Sequence, residues 1–178
     1  SKISNTGDGW YVYHKDLASG SGLQLNTTAA VASSYWASAP TSTVFTEPND
    51  STNVWEHVTY CFHSVDGYSK VGSYTGNGST DGPVIYTGFR PAFLLYKQTT
   101  DTGKPWYITD NTRDVDNPAE HIIIASQSDA ENASHNNKVD FLANGYKIRS
   151  TGSTINASVK TFIYIAFAES PFKYSNAR

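Results

Sequence analysis

The residues of this chain best suited to recognising a ligand are its aromatic rings. Trp10 and Tyr13 stand in the run Trp10-Tyr11-Val12-Tyr13, Tyr35 and Trp36 are adjacent, Trp55 stands alone, and Trp106-Tyr107 follows Pro105. These rings fall near predicted loops or strand ends, beside Asn, Asp and Ser. Such rings offer an apolar face to a pyranose, while side-chain amides and carboxylates take its hydroxyls. Asn77 and Asp81, in the Gly-rich loop from Tyr74 to Pro83, are polar partners of that kind. The competing reading is a core role, because Trp and Tyr are highly buried on average.

Other chemistry finds less support. Asp110, Asp114 and Asp116 cluster in Asp110-Asn111-Thr112-Arg113-Asp114-Val115-Asp116-Asn117-Pro118. Calcium takes six to eight oxygen ligands, which loops of Asp and Asn can supply, but the spacing is not that of an EF-hand. Arg113 among the carboxylates favours a salt-bridged surface loop instead. No other cofactor is expected. His57 and His63 fall six apart on one predicted strand, so about 20 Å separates them at ~3.4 Å per residue, too far to share one metal. Cys61 sits two residues from His63, but at roughly 7 Å along a strand the two cannot hydrogen-bond directly. A small buried filler is the expectation for Cys61. Gly76 and Gly78 lack the later glycine and the strand–helix setting of a dinucleotide loop. Glycoside hydrolysis needs a carboxyl pair, and 16 acidic residues always allow one. We therefore expect no enzymatic activity.

Composition narrows the partners. The chain has 178 residues, 16% charged, 13% aromatic, with 4 Trp, 12 Tyr, 8 Phe and net charge −3. Disorder pairs few aromatics with high net charge, which does not fit here. A nucleic-acid groove needs a basic patch, and 13 Lys+Arg against 16 Asp+Glu do not suggest one. No apolar run approaches the ~20 residues of a membrane helix. Polarity comes instead from 21 Ser, 19 Thr, 13 Asn and 13 Gly. One Cys excludes an intrachain disulfide, and the absence of Met suggests a piece of a longer protein.

Positioning falls to short strands. Aromatic and β-branched runs separated by Gly, Pro, Asn and Asp mark an all-β chain. Strands are predicted at residues 10–14, 23–27, 43–46, 55–65, 68–75, 83–87, 92–97, 106–109, 121–125, 138–142, 146–149 and 161–168. The runs 162–168 and 92–96 are apolar on both faces, as expected of central strands. Helix signals are confined to residues 28–32, after Thr27 or Thr28 as cap, and to one turn at Asn117-Pro118-Ala119-Glu120. About a dozen strands and at most one or two short helices predict an antiparallel β-sandwich of jelly-roll or concanavalin-A-like type. One domain over 1–178 is expected, with residues 47–53 as the place for a weak sub-boundary.

Several strings also carry a resemblance. They are Tyr13-His14-Lys15-Asp16-Leu17, Leu25-Asn26-Thr27-Thr28, Pro40-Thr41-Ser42-Thr43-Val44-Phe45, Asp140-Phe141-Leu142-Ala143-Asn144-Gly145 and Ile165-Ala166-Phe167-Ala168-Glu169-Ser170-Pro171-Phe172-Lys173. The most specific runs from Gly67-Tyr68-Ser69-Lys70-Val71-Gly72 through Tyr86-Thr87-Gly88-Phe89-Arg90-Pro91. Together they resemble a C-terminal domain family of large, tail-fibre-like virion proteins of marine tailed phages, often found with concanavalin-A-like lectin modules. The resemblance implies a virion-surface domain that binds a host glycan or receptor, or an architectural module joining virion subunits. It brings no catalytic residues. The expected partners are a host surface glycan or receptor and other virion subunits, as a homo-oligomer, with no nucleic acid and no membrane insertion.

Overall fold

A computed structural model of the chain describes residues 1–3, 9–46 and 57–171. Among them twelve strands are present: β1 (Lys2–Ile3), β2 (Tyr11–Val12), β3 (Leu23–Gln24), β4 (His57–Val58), β5 (Ser69–Thr75), β6 (Val84–Tyr86), β7 (Pro91–Gln98), β8 (Tyr107–Asp110), β9 (Ile123–Ile124), β10 (Val139–Leu142), β11 (Gly145–Ile148) and β12 (Thr161–Ala168). All pairings are antiparallel. A five-stranded sheet in the order β5-β12-β7-β8-β9 faces a three-stranded sheet in the order β10-β11-β6, and β1-β4 and β2-β3 form two-stranded ribbons.

The two larger sheets make a sandwich because alternate residues of each strand point to one face. Tyr74, Phe162, Tyr164, Leu94, Tyr96 and Tyr107 of the larger sheet meet Ile85, Phe141, Tyr146 and Ile148 of the smaller one. Fully burying one such side chain contributes about 1.5–3 kcal/mol. Tyrosine in a core needs hydroxyl partners: Tyr74 donates to the Ile155 carbonyl at 2.8 Å, and Tyr96 accepts from Asn137 Nδ2 at 2.9 Å. Space for Tyr164 comes from its cross-strand neighbour Gly72, where a Cβ would lie 2.8 Å from the Tyr164 hydroxyl.

The other face of the five-stranded sheet is also covered. Leu95 and Ile163, one residue out of phase with the sandwich set, join Trp106, Leu23, Val12, Leu17 and Leu25 in a second apolar cluster. The segment 9–46 thus forms an outer layer over this sheet. That is why β7 and β12 are apolar on both faces.

The predicted strands from residue 68 onward form, shifted by a residue or two. Earlier expectations change. Residues 43–46 are irregular, and of residues 57–65 only 57–58 lie in a ladder; residues 55–56 lie outside the described set. Strand β1 carried no sequence signal. No helix is present among the described residues, so residues 28–32 and 117–120 are coil, bends and bridges. At 28–32 the chain spends its hydrogen bonds on neighbours instead: Val31 N–H donates to Thr99 and Ala32 pairs with Gly22. No helix among the described residues is long and apolar enough to cross a membrane.

Candidate functional site

The outer layer does not close fully on the sheet. Between them lies a cavity of about 990 Å³, bounded by the segments 10–14, 40–45 and 59–63 and floored by the outward residues of the sheet, Val71, Leu95, Ile163 and Ile165. Its volume is at the upper end of the roughly 300–1,000 Å³ usual for small-ligand sites.

Four of the predicted binding residues line it: Trp10, Tyr13, Trp36 and Trp106. Strand β2 and its flanks bring Trp10 and Tyr13 into the layer. Trp10 N–H donates to Asn26 Oδ1 at 2.9 Å. Its ring stands 6.0 Å from Tyr60, with Lys2 Nζ 5.9 Å from its centroid. Tyr13 meets Trp36 edge-on at 5.9 Å. Trp106 is 3% exposed and donates Nε1–H to the Gln24 carbonyl at 2.9 Å, so it anchors the layer to the sheet. Edge-to-face pairs of this kind fix ring orientation and contribute about 0.5–1.5 kcal/mol each beyond burial.

The other predicted residues lie elsewhere. Tyr35 packs edge-on against Tyr11 at 5.2 Å and does not line the cavity. Tyr107 is stacked on Tyr96 in the sandwich core. Asn77 and Asp81 belong to the β5–β6 loop and serve its own architecture. Asn77 donates Nδ2–H to the Asp81 carbonyl and accepts from Ser79 N–H, while Asp81 pairs with Lys147 at 2.5 Å. Lys147 draws the Asp81 carboxyl below its ordinary value. Trp55 lies outside the described residues.

The acidic loop is internally satisfied. Asp110 pairs with Arg113 and accepts the N–H groups of Thr112 and Arg113. Asp114 accepts the N–H groups of Glu120 and His121, and His121 Nδ1–H at 2.5 Å. Asp116 is exposed. Among the described residues no three His, Cys, Asp or Glu side chains converge to hold a metal.

Phe45, Tyr60, Phe62 and His14 also line the cavity and went unrecognised in the sequence. Residues 55–65 read as one strand, yet Tyr60 and Phe62 are 67% and 61% exposed. Cys61 is exposed too, not the buried filler expected, because the chain leaves its ladder after Val58. The available signal was the alternation Val58, Tyr60, Phe62, which marks a stripe without saying whether anything covers it. His14 is 7% exposed, accepts Asp16 N–H on Nδ1 at 3.2 Å, and has no hydrogen-bond partner on Nε2. Burial pushes His14 below its ordinary pKa, opposed by the nearby Asp16 carboxylate.

The described residues thus form an all-β, two-sheet sandwich with an aromatic-lined cavity under a partial third layer. The chain belongs to the family described as Domain of unknown function (DUF7483), which it matches over residues 1–171. No curated protein and no solved structure matches it.

Proposed function

We propose that this domain is a non-enzymatic binding module on the surface of a tailed-phage virion, of tail-fibre type, which engages a host-surface glycan through the cavity. The observation that carries the reading is an opening of about 990 Å³ walled by Trp10, Tyr13, Trp36, Phe45, Tyr60 and Phe62. Aromatic walls with Thr41, Ser42, Thr43 and Thr59 interspersed suit the alternating apolar and hydroxyl surfaces of sugars. The phage setting rests on the sequence resemblance. Affinity per site is modest, and several copies on one particle supply avidity. A glycan array probed with multivalently displayed, folded domain tests this. Binding that Tyr60→Ala weakens without moving Tm is expected, and no binding to any glycan refutes it.

A second reading, an architectural module between virion subunits, has its own support. Val44, Phe45, Tyr60 and Phe62 line the cavity and are exposed, and such apolar patches often mark interfaces. It predicts a homo-oligomer burying more than about 1,000 Å². A stable monomer by sedimentation at high concentration would count against it.

A further inference from the structure

The cavity is selective in what it leaves out. About one residue in six of the chain is charged, yet none of the described residues lining the cavity is Asp, Glu, Lys or Arg. Positive charge stands beside it in the Ser1 ammonium and in Lys2 Nζ over the Trp10 ring, but an acidic group seated on the floor of Val71, Leu95, Ile163 and Ile165 would lose hydration against apolar side chains.

What the cavity does offer is a buried donor. His14 lines it at 7% exposure. Because Nδ1 accepts the Asp16 N–H, the ring proton resides on Nε2. The backbone of Gly72 and Tyr164 lies near the ring, but no hydrogen bond to Nε2 is completed. A buried N–H without an acceptor is costly, so an occupant that brings an acceptor gains more here than one that brings a second donor. The lining also carries the aliphatic and aromatic side chains of Leu25, Leu95, Ile163 and Trp106.

We propose that the cavity selects 2-acetamido sugars, whose acyl carbonyl accepts from His14 Nε2–H while the acyl methyl packs on Leu25, Leu95 and Ile163. This rests on the glycan reading above and names its ligand class. Among neutral sugar substituents the acetamido group joins a strong acceptor to a methyl group, and a plain hydroxyl supplies neither the methyl nor an acceptor of that strength.

The test uses the full chain and multivalent conjugates of N-acetylglucosamine, N-acetylgalactosamine, glucose, galactose and galacturonate. At least one acetamido sugar is expected to bind about tenfold tighter than its hydroxyl counterpart, the worth of one well-placed hydrogen bond, with galacturonate weakest. Saturation-transfer NMR on the wild-type protein should find the acetyl methyl among the most strongly saturated ligand protons. His14→Leu should bring the acetamido sugar down to the level of its counterpart. His14→Gln, which keeps a donor, should retain part of the preference. The NMR arm decides the matter even if neither variant folds. Glycan binding with no acetamido preference, with galacturonate strongest, or with an unsaturated acetyl methyl overturns this inference and leaves the glycan reading standing. No binding to any conjugate, or to any glycan on the array, overturns both.

Discussion

Lys97 gives the sharpest quantitative test of how this protein is put together. It lies on β7 at 0% exposure, and its ammonium donates to the carbonyls of Gln98 at 3.0 Å and Lys104 at 2.7 Å. Burial alone drives its pKa from 10.5 down to about 8. The lowered value means that the folded state gives up the proton before the unfolded chain does. Between pH 8 and 10.5 the unfolded chain binds more protons, so folding stability must rise with pH in that window. With a folded value of about 8 and an unfolded value of about 10.4, linkage predicts a gain over pH 7 of about 1 kcal/mol at pH 9 and about 2 to 3 kcal/mol at pH 10. Tyr74, Tyr96 and Tyr146 act in the opposite direction. Burial raises all three hydroxyls well above 10, so they remove stability above that pH. Subtracting a Lys97→Met variant cancels their contribution. Urea denaturation of both proteins at pH 7, 8, 9 and 10 should show the wild type gaining on the variant by those amounts. A difference that stays flat across the range would mean that Lys97 titrates as a solvated amine and that water reaches it in the folded protein.

Three further outcomes follow from the same reasoning. Asn156, at 0% exposure, accepts from Asn77 N–H and donates to Asn77 Oδ1 and to the Ser79 and Ser150 carbonyls. Asn156→Ala should cost about 3 kcal/mol, at roughly 1 kcal/mol for each of the three bonds that one oxygen acceptor and two N–H donors hold at once, measured by denaturant titration. Val159 holds φ 57° at 82% exposure, so Val159→Gly relieves left-handed strain without losing packing. It should stabilise by about 1 kcal/mol, a rise in Tm of roughly 2–4 °C. Exposed Cys61 should react with Ellman's reagent at one thiol per native chain without denaturant, and a bulky label there should weaken glycan binding at the cavity mouth.

From residue 68 onward the sequence was readable at the level of single strands. There β-branched and aromatic runs of four to eight residues stand between clear turn residues, and the doubly apolar runs at 92–96 and 162–168 became β7 and β12, buried on both faces. Before that point it was not. The outer layer is held by two-residue ladders and by side chains such as Trp106 that reach from the sheet, and contacts that distant leave no local period. Of the site, the rings Trp10, Tyr13, Trp36 and Trp106 were recognised by type. Tyr107 looked equivalent to Trp106, but adjacent strand residues face opposite ways, and Tyr107 enters the sandwich instead. Asn77 and Asp81 had the right chemistry for a ligand. Asn77 is occupied by its own loop and by Asn156, and Asp81 by Lys147, partners 2 to 79 positions away in the chain.

The division of the molecule into a sandwich and an outer layer also bears on how it can change over generations. The tyrosine-rich interior draws on residues 74–166, whereas most of the cavity wall comes from residues 10–45 and 59–63. Substitutions in the wall can redraw what the cavity admits while every residue of the sandwich core keeps its neighbours. A lineage pressed to follow a shifting target could therefore rewrite its recognition surface at little risk to its fold, the same separation of frame from loops that lets other β scaffolds diversify.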